Sequence, residues 1–491
     1  MWQFTFFQNI EKWKTYNLVL YIRSLGPVNM SVSLTDNIGM QILATTNIIE
    51  TNVSNWTKIV AKLEAKGSNS NARLQLKTNK KGVMWLDQVS LMPTHTYKGH
   101  GFRNDLFKMV ADMKPGFIRF PGEYLRNAFR WKETIGAWEE RPGHFGDVWF
   151  YWTDDGLGHY EFFQCIKFRK ALDGIEFARG GPNSTWGSIR AAMGHPEPFD
   201  LKYVAIGNED CGKKYYRENY LKFYAAIRKA YPDIKMISNC DGSNVKLDHP
   251  ADMYDFHIYS DARTVFSMAN TFDRTSRVGP KYAVTGDDAG LGSLLASLAE
   301  AGFLIGLEKN SDIVEMASYA PLFVNTNDKR WKPDAIVFDS SQSYGTPSYW
   351  MQHFFKHSNG ATLLKSTLQA NSSYSLEASA IVFQDPVDKK TYLRVKVVNF
   401  GSSTVNLKIL IDGLDPNLLD TSGSKTVLSS ANVKDENSFA NPEKITPVTS
   451  MLEKAGRNMD VVLLPHSLTC FDVVTKSDIA EITTTTDVST M

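Results

Sequence analysis

The sequence predicts a multidomain protein of mixed α/β and all-β class: a (β/α)8-type barrel, short of strands, between two jelly-roll-like β-sandwiches. Three observations predict it. Short alternating strand patterns fill residues 15–92, strands alternate with helices from about residue 94 to 357, and strands alone return from about 362. With 491 residues the chain exceeds what a single hydrophobic core can organise. The expected division is a sandwich over 1–93, the barrel over 94–357, a second sandwich over 358–476 and a disordered tail over 477–491.

The first sandwich rests on TYNLVLYIRS, VNMSVSLT, GMQILATT, WTKIVAKLEA, ARLQLKT and VMWLDQVSLMP, separated by Gly, Asn, Asp or Ser turn signals. The barrel strands are expected at 117–120, 201–207, 234–239, 254–259, 281–285 and 312–319. That makes six, where a closed barrel of this kind needs eight over roughly 250 residues. Residues 131–194 are rich in Trp, Gly and Pro and offer no apolar strand run to make up the difference. Helices are expected over 215–231, stopping before Pro232, and over 291–307, a Leu/Ala-rich stretch expected to pack outside the sheet. The second sandwich is read from SLEASAIVFQ, TYLRVKVVNF, TVNLKILIDGL and the run 458–474. The tail EITTTTDVSTM is of low complexity.

Charge narrows the partners. With 54 Lys+Arg against 53 Asp+Glu, the formal charge of +1 gives no overall field for nucleic acid or an anionic membrane surface, so a neutral partner fits better. Eleven Trp and 20 Tyr suit stacking on sugar rings as well as they suit an aromatic core. Four cysteines without CxxC spacing indicate neither a metal site nor a disulfide scaffold. Asn-x-Ser/Thr sequons stand at Asn29, Asn52, Asn55, Asn183 and Asn371. The opening MWQFTFFQNIEKWK does not read as a signal peptide, and no run has the length of a membrane span.

The chemistry concentrates where apolar strands end. In LKYVAIGNEDCG a buried strand runs into Asn208, Glu209 and Asp210. Reacting groups of parallel barrels sit at the C-terminal ends of strands, so Glu209 points toward the pocket mouth as a general acid must. A helix-capping acidic cluster is the plainer account of the same residues. In YDFHIY, His257 and Tyr259 share one face through the period of two. In GFIRFPG, Arg119 lies among apolar neighbours, where a guanidinium needs a carboxylate or a polar pocket floor.

GFRNDLFKMVADMKPGFIRFPG, RNAFRWKETIGAWEERPGHFGDVW, RAAMGHPEPFDLKYVAIGNEDCG, ISNCDGS, DFHIY and EKNSDIVEMASYAPLFVNTND together resemble the plant α-L-arabinofuranosidases of glycoside hydrolase family fifty-one. The resemblance runs from about residue 9 to about 474, and it likens the first sandwich to a carbohydrate-binding module. It implies release of non-reducing-end α-L-arabinofuranosyl groups from arabinose-containing cell-wall polysaccharide or oligosaccharide, with retention of configuration. It also implies an extracellular or cell-wall location and no metal or organic cofactor. Residue by residue, it makes Glu209 the general acid/base, Asn208 and Arg119 sugar-binding residues, and His257 and Tyr259 the sixth-strand pair near the nucleophile.

The chain departs from the family at decisive points. Where the family's seventh strand resembles GPKAFVSEYAVTG and carries the nucleophilic Glu, this chain reads GPKYAVTG, so the nucleophile is absent. The loop after RFPG, the third strand near Cys165 to Lys170, and the leader with the first barrel strand are shortened or missing too. Retaining hydrolysis requires two carboxyl groups about 5–5.5 Å apart. Asp255, Asp287, Asp288 and Glu315 read as solvated or structural acids, with Asp287 and Asp288 in a loop beyond the shortened strand. An impaired arabinofuranosidase is therefore expected, with a catalytically inactive carbohydrate-binding homologue as the alternative.

Overall fold

The structure, a computed structural model, describes residues 8–78, 81–99, 101–117, 119, 131–146, 151–153, 155–156, 158–160, 171–242, 247–288, 292–326, 334–369, 375–412, 417, 419–452, 454–476 and 487–490. The chain forms two compact units: Met1–Lys108 with Phe338–Ser343, and Met109–Val337 with Tyr344–Met491.

The first unit is built from seven strands among the described residues: β1 (Gln8–Ile10), β2 (Thr15–Ser24), β3 (Val28–Thr35), β4 (Ile42–Glu50), β5 (Thr57–Glu64), β6 (Asn69–Thr78) and β7 (Met84–Pro93). They form two antiparallel sheets, ordered β1-β6-β3-β4 and β5-β2-β7. Period-two alternation decides which side chains enter the core. From β2 the buried set is Tyr16, Leu18, Leu20 and Ile22; from β3 it is Val28, Met30, Val32 and Leu34. Both sets join one core, so the two sheets pack face to face.

The second unit opens with helix and hairpin segments. Two strands that composition did not suggest, β8 (His144–Gly146) and β9 (Tyr151–Thr153), pair inside the Trp- and Gly-rich stretch. A parallel sheet follows: β10 (Tyr203–Ile206), β11 (Lys235–Ser238), β12 (Met253–Tyr259), β13 (Lys281–Asp288) and β14 (Val314–Ser318), in sequence order. These are five of the six expected strands. The sixth, at 117–120, falls largely outside the described residues. Asp287 and Asp288 belong to β13, not to a loop, and their backbone is in register with Ile258 and Tyr259 of β12.

The helix Leu294–Lys309 packs on the parallel sheet as expected, but its outer side is covered as well. Thirteen of its residues are buried, and its apolar residues encircle it without a polar stripe. A helix apolar all round must be covered all round. Its core takes in Ile258 and Val314 on one side and Val398, Leu428, Leu468 and Cys470 on the other, so it is shared between the parallel sheet and the C-terminal strands. This sharing is why Met109–Val337 and Tyr344–Met491 form one unit rather than a barrel and a separate sandwich. Across the seam, the fully buried Lys396 donates to Glu308 at 2.5 Å and to Ser358 at 3.0 Å, and Ser379 donates to the other oxygen of Glu308.

Among the described residues the C-terminal strands form one nine-stranded order around their own core, which holds Leu364, Val395, Ile409, Phe471 and Val473. Part of the expected tail is structured: Asp487–Thr490 is a strand, parallel to Thr362–Leu368 and antiparallel to Val405–Asp412. Val488 and Thr490 suit a strand once two neighbours offer hydrogen bonds. Residues 477–486 lie outside the described residues.

Candidate active site

The parallel sheet sets the site. β10 and β12 end at the same edge, and the chain leaves β10 through a tight turn. Gly207 has φ +98° and a Cβ there would meet Tyr216 Cε2 at 2.8 Å, so the position admits only glycine without rearrangement. Glu209 then adopts φ +49°, the left-handed region that costs a non-glycine residue roughly 1–2 kcal/mol.

Four contacts hold that conformation. Tyr216 Oη donates to the Ile206 carbonyl at 2.8 Å and accepts from the Asn239 amide at 2.8 Å, tying the ends of β10 and β11 together. The Asp210 amide donates to Asn239 Oδ1. A disulfide joins Cys211 to Cys240, with Cα atoms 5.2 Å apart. The cysteine spacing gave no sign of it, because the pairing arises only when the parallel register brings the two strand ends side by side. Cys470 is buried and free, and Cys165 lies outside the described residues.

The structure gathers Arg119, Asn208, Glu209 and His257 into one cluster, with one residue the sequence reading set aside. Arg119 Nη2 donates to Asn208 Oδ1 at 2.7 Å, and its Nη1 lies 3.1 Å from Asp255 Oδ2. His257 Nε2 faces Asp255 Oδ2 at 2.9 Å and Arg119 Nη1 at 3.0 Å, while its Nδ1 faces Glu209 Oε1 at 3.3 Å. Asn208 is buried, and its Nδ2 has no acceptor among the described residues. Tyr259 stands two residues beyond His257 on the same strand, 36% exposed.

Asp255 is thus neither solvated nor remote. Burial disfavours its charge, yet the Arg119 guanidinium and the bond from His257 outweigh that and hold its carboxyl below the usual range. Burial also opposes the His257 imidazolium, but the bond to Asp255 and its charge prevail, and His257 is raised above its ordinary value. An imidazolium here places one N–H toward Asp255 and the other toward Glu209. The signal for Asp255 was in the sequence: Asp255, His257 and Tyr259 occupy alternate positions of one strand and so share its face.

Glu315 is committed elsewhere. Its Oε1 accepts from Tyr203 Oη at 2.6 Å and from Lys235 Nζ at 2.6 Å, at the starts of β10 and β11, the opposite end of the sheet from Glu209. Among the described residues, no group of three or more His, Cys, Asp or Glu is placed to hold a metal ion, and no helix is long and apolar enough to cross a membrane.

Comparison with known proteins gives a consistent picture. Residues 109–169 and 167–277 match the description "Alpha-L-arabinofuranosidase 1 domain", and 291–467 match "Alpha-L-arabinofuranosidase C-terminal domain". Alpha-L-arabinofuranosidase 1 of Arabidopsis thaliana is 61% identical, with 96% of this chain and 75% of that protein covered; alpha-L-arabinofuranosidase 2 of the same plant is 58% identical with the same coverage. The first alignment runs over 511 positions, more than the 491 residues present, so the relative carries residues inside the match that this chain lacks. Among solved structures, the arabinose-bound MgGH51 α-L-arabinofuranosidase superposes with a TM-score of 0.83 at 26% identity, covering 96% of this chain and 84% of its own. The α-L-arabinofuranosidase of Thermotoga maritima shares the fold, with a TM-score of 0.61 at 19% identity, covering 77% and 91%.

Proposed function

Because this chain belongs to the glycoside hydrolase family fifty-one α-L-arabinofuranosidases, we propose that it recognises non-reducing-end α-L-arabinofuranosyl groups of cell-wall polysaccharides at the Arg119–Asn208–Glu209–His257 cluster. Glu209 is the proton donor to the leaving glycosidic oxygen. The observation that carries this is the placement of a Glu at the C-terminal end of β10, held in a left-handed conformation and faced by His257 at 3.3 Å.

The other roles follow from the contacts. Asn208 offers its unused Nδ2 to a sugar hydroxyl, while its Oδ1 is occupied by Arg119. Arg119 floors the pocket and neutralises Asp255. His257, anchored on Asp255 through Nε2, faces Glu209 with Nδ1 and orients it, and Tyr259 lines the rim. The chemistry asks for carboxyl groups and neither a metal nor an organic cofactor.

Turnover by this chain is impaired. A retaining glycosidase forms a bond from a second carboxylate to the anomeric carbon as the first carboxylic acid protonates the leaving oxygen. Asp255 is buried and engaged by Arg119 and His257, and Glu315 sits at the far end of the strands, so neither meets that requirement. The 511-position match, longer than this chain, supports the absence from this chain of residues that its relative carries.

The test is release of aryl alcohol from an aryl α-L-arabinofuranoside by this chain, beside a version with the Glu-bearing seventh-strand segment restored. The restored chain is expected to be faster by at least about three orders of magnitude, and Glu209→Gln to abolish that gain. Equal rates for the two chains refute the assignment of a missing nucleophile. The second reading, an inactive carbohydrate-binding homologue, is favoured by the missing residues. It predicts retention on arabinoxylan with no arabinose released by this chain.

An extracellular or wall location is supported by the Cys211–Cys240 disulfide, which suits an oxidising compartment. The exposed asparagines of four sequons, Asn29, Asn52, Asn55 and Asn183, agree with it.

A further inference from the structure

The outer face of the sheet β5-β2-β7 carries a row of side chains that the core does not explain. Alternation turns Tyr16, Leu18, Leu20 and Ile22 of β2 inward, so Tyr21 and Arg23 lie on the other face. Arg23 is in register with Trp85 of β7, and Trp56, directly before β5, completes the row on the other side, because Ile22 is in register with Thr57. The guanidinium carbon lies 4.6 Å from the Trp85 ring centre and 5.4 Å from that of Trp56. In the next row Lys58 and Asp87 flank Tyr21, with the ammonium 6.0 Å from the phenol ring centre.

Two indoles on one flat face, 45% and 37% exposed, are not there to fill a core. A guanidinium between them fixes their spacing through cation–π attraction and makes the row a preorganised platform. The indoles are separated by two strand spacings, about 9–10 Å, which lets neighbouring or next-but-one rings of an extended sugar chain stack on both. Arg23 adds a planar fork of donors suited to a carboxylate, and Lys58 stands in the adjoining row. The cationic groups outnumber Asp87 on this patch although the whole chain is nearly neutral.

We propose that Trp56, Arg23 and Trp85 form a binding site for an extended polysaccharide bearing uronate groups, with the indoles stacking on sugar rings and Arg23 pairing with a carboxylate. The site belongs to the first compact unit and does not depend on the reading of Glu209.

Affinity electrophoresis of the full chain tests it, in gels containing a glucuronic-acid-bearing arabinoxylan, the same polymer with its carboxyl groups reduced to alcohols, or no polymer. Trp56 lies inside the sequon Asn55-Trp56-Thr57, so N-glycans are first removed enzymatically. The acidic polymer is expected to retard the chain several-fold more strongly than the reduced one. Trp56→Ala with Trp85→Ala weakens retention by both polymers about tenfold or more. Arg23→Gln removes the preference for the acidic polymer and lowers retention by the reduced one less than the Trp56/Trp85 double substitution does. Ile49→Ser, on exposed β4 of the other sheet, changes nothing.

Free arabinose, the ligand expected at Glu209, leaves retention intact, so failure of that site and failure of this one are told apart. Unchanged thermal unfolding of each variant shows that the fold is preserved. A wild-type chain that neither polymer retards overturns the proposal, as does retention that survives the Trp56/Trp85 double substitution. Capture of a proline-rich peptide in place of polysaccharide overturns it as well.

Discussion

Replacing Cys211 and Cys240 by serine removes the one covalent tie on the loop that carries Glu209, and its cost can be worked from the sequence separation of 29. In the chain-entropy account, a loop of that size contributes about 12 cal/mol/K, or about 3.6 kcal/mol at 25 °C, by restricting the unfolded chain. The bridge also acts in the folded state. Cys211 is two residues from Glu209, and Cys240 follows Asn239, which accepts from the Asp210 amide. Without the bridge, Glu209 can relax from φ +49° and recover about 1–2 kcal/mol of backbone strain, which favours a displaced carboxyl. Urea unfolding of the oxidised chain and of Cys211→Ser with Cys240→Ser should differ by about 2–4 kcal/mol in the unit holding the parallel sheet. Calorimetric titration with arabinose should show weaker binding by the double variant, and reductant should move the wild type toward it. Coincident unfolding curves together with equal arabinose affinity would refute the reasoning, since the loop would then be held by Tyr216 and Asn239 alone.

The Asp255–His257 pair gives a pH signature. His257 is raised in the folded chain, so its contribution to stability is fully present below its ordinary value of 6.5 and is lost as pH climbs through the higher folded value. Asp255 is lowered, so its contribution is present above 3.8 and is lost as pH falls through the lower folded value. Ring-proton NMR should place the His257 midpoint above 6.5, and Asp255→Asn should bring it down; a midpoint unmoved by that substitution contradicts the pairing. Lys396→Ala leaves the Glu308 carboxylate buried without its cation and should cost about 3–5 kcal/mol in thermal or urea unfolding. Lys396→Met combined with Glu308→Leu should cost clearly less than the single change. Gly207→Ala should destabilise by about 1–3 kcal/mol and weaken arabinose binding, because φ +98° and the Tyr216 ring both exclude a Cβ.

What could be read in advance, and what could not, divides by the range of the forces involved. Alternation is local, and it located β2 and β3 at their observed ends, 15–24 and 28–35. The strand Leu419–Ser429 escaped because LDTSGSKTVLS carries the Ser and Gly of a turn; its pairing with Ser467–Thr475 overrides that preference. The helix Leu294–Lys309 was legible as a helix but not as a buried one, since its partners on the second side, Val398 and Leu468 among them, come from strands about a hundred residues or more away. The site shows the same division. Arg119 among apolar neighbours demanded a carboxylate, but only the sheet reveals that Asp255 supplies it, 136 residues along the chain.

That pairing bears directly on catalysis. A carboxylate neutralised by Arg119 and bonded to His257 is a poor nucleophile, however near the sugar it lies, because attack would strip it of the partners that keep it ionised. On the proposed reading, the frame that holds His257 between Asp255 and Glu209 serves the proton donor, and the anomeric carbon meets a different carboxylate. Among the acids whose side chains are described here, Asp255 and Glu315 are both spoken for. Asp287 and Asp288 are in register with Ile258 and Tyr259 at the end of β13, which makes Asp287→Asn and Asp288→Asn the controls for any residual turnover. Loss of that turnover in either variant would move the second carboxylate onto this shortened strand.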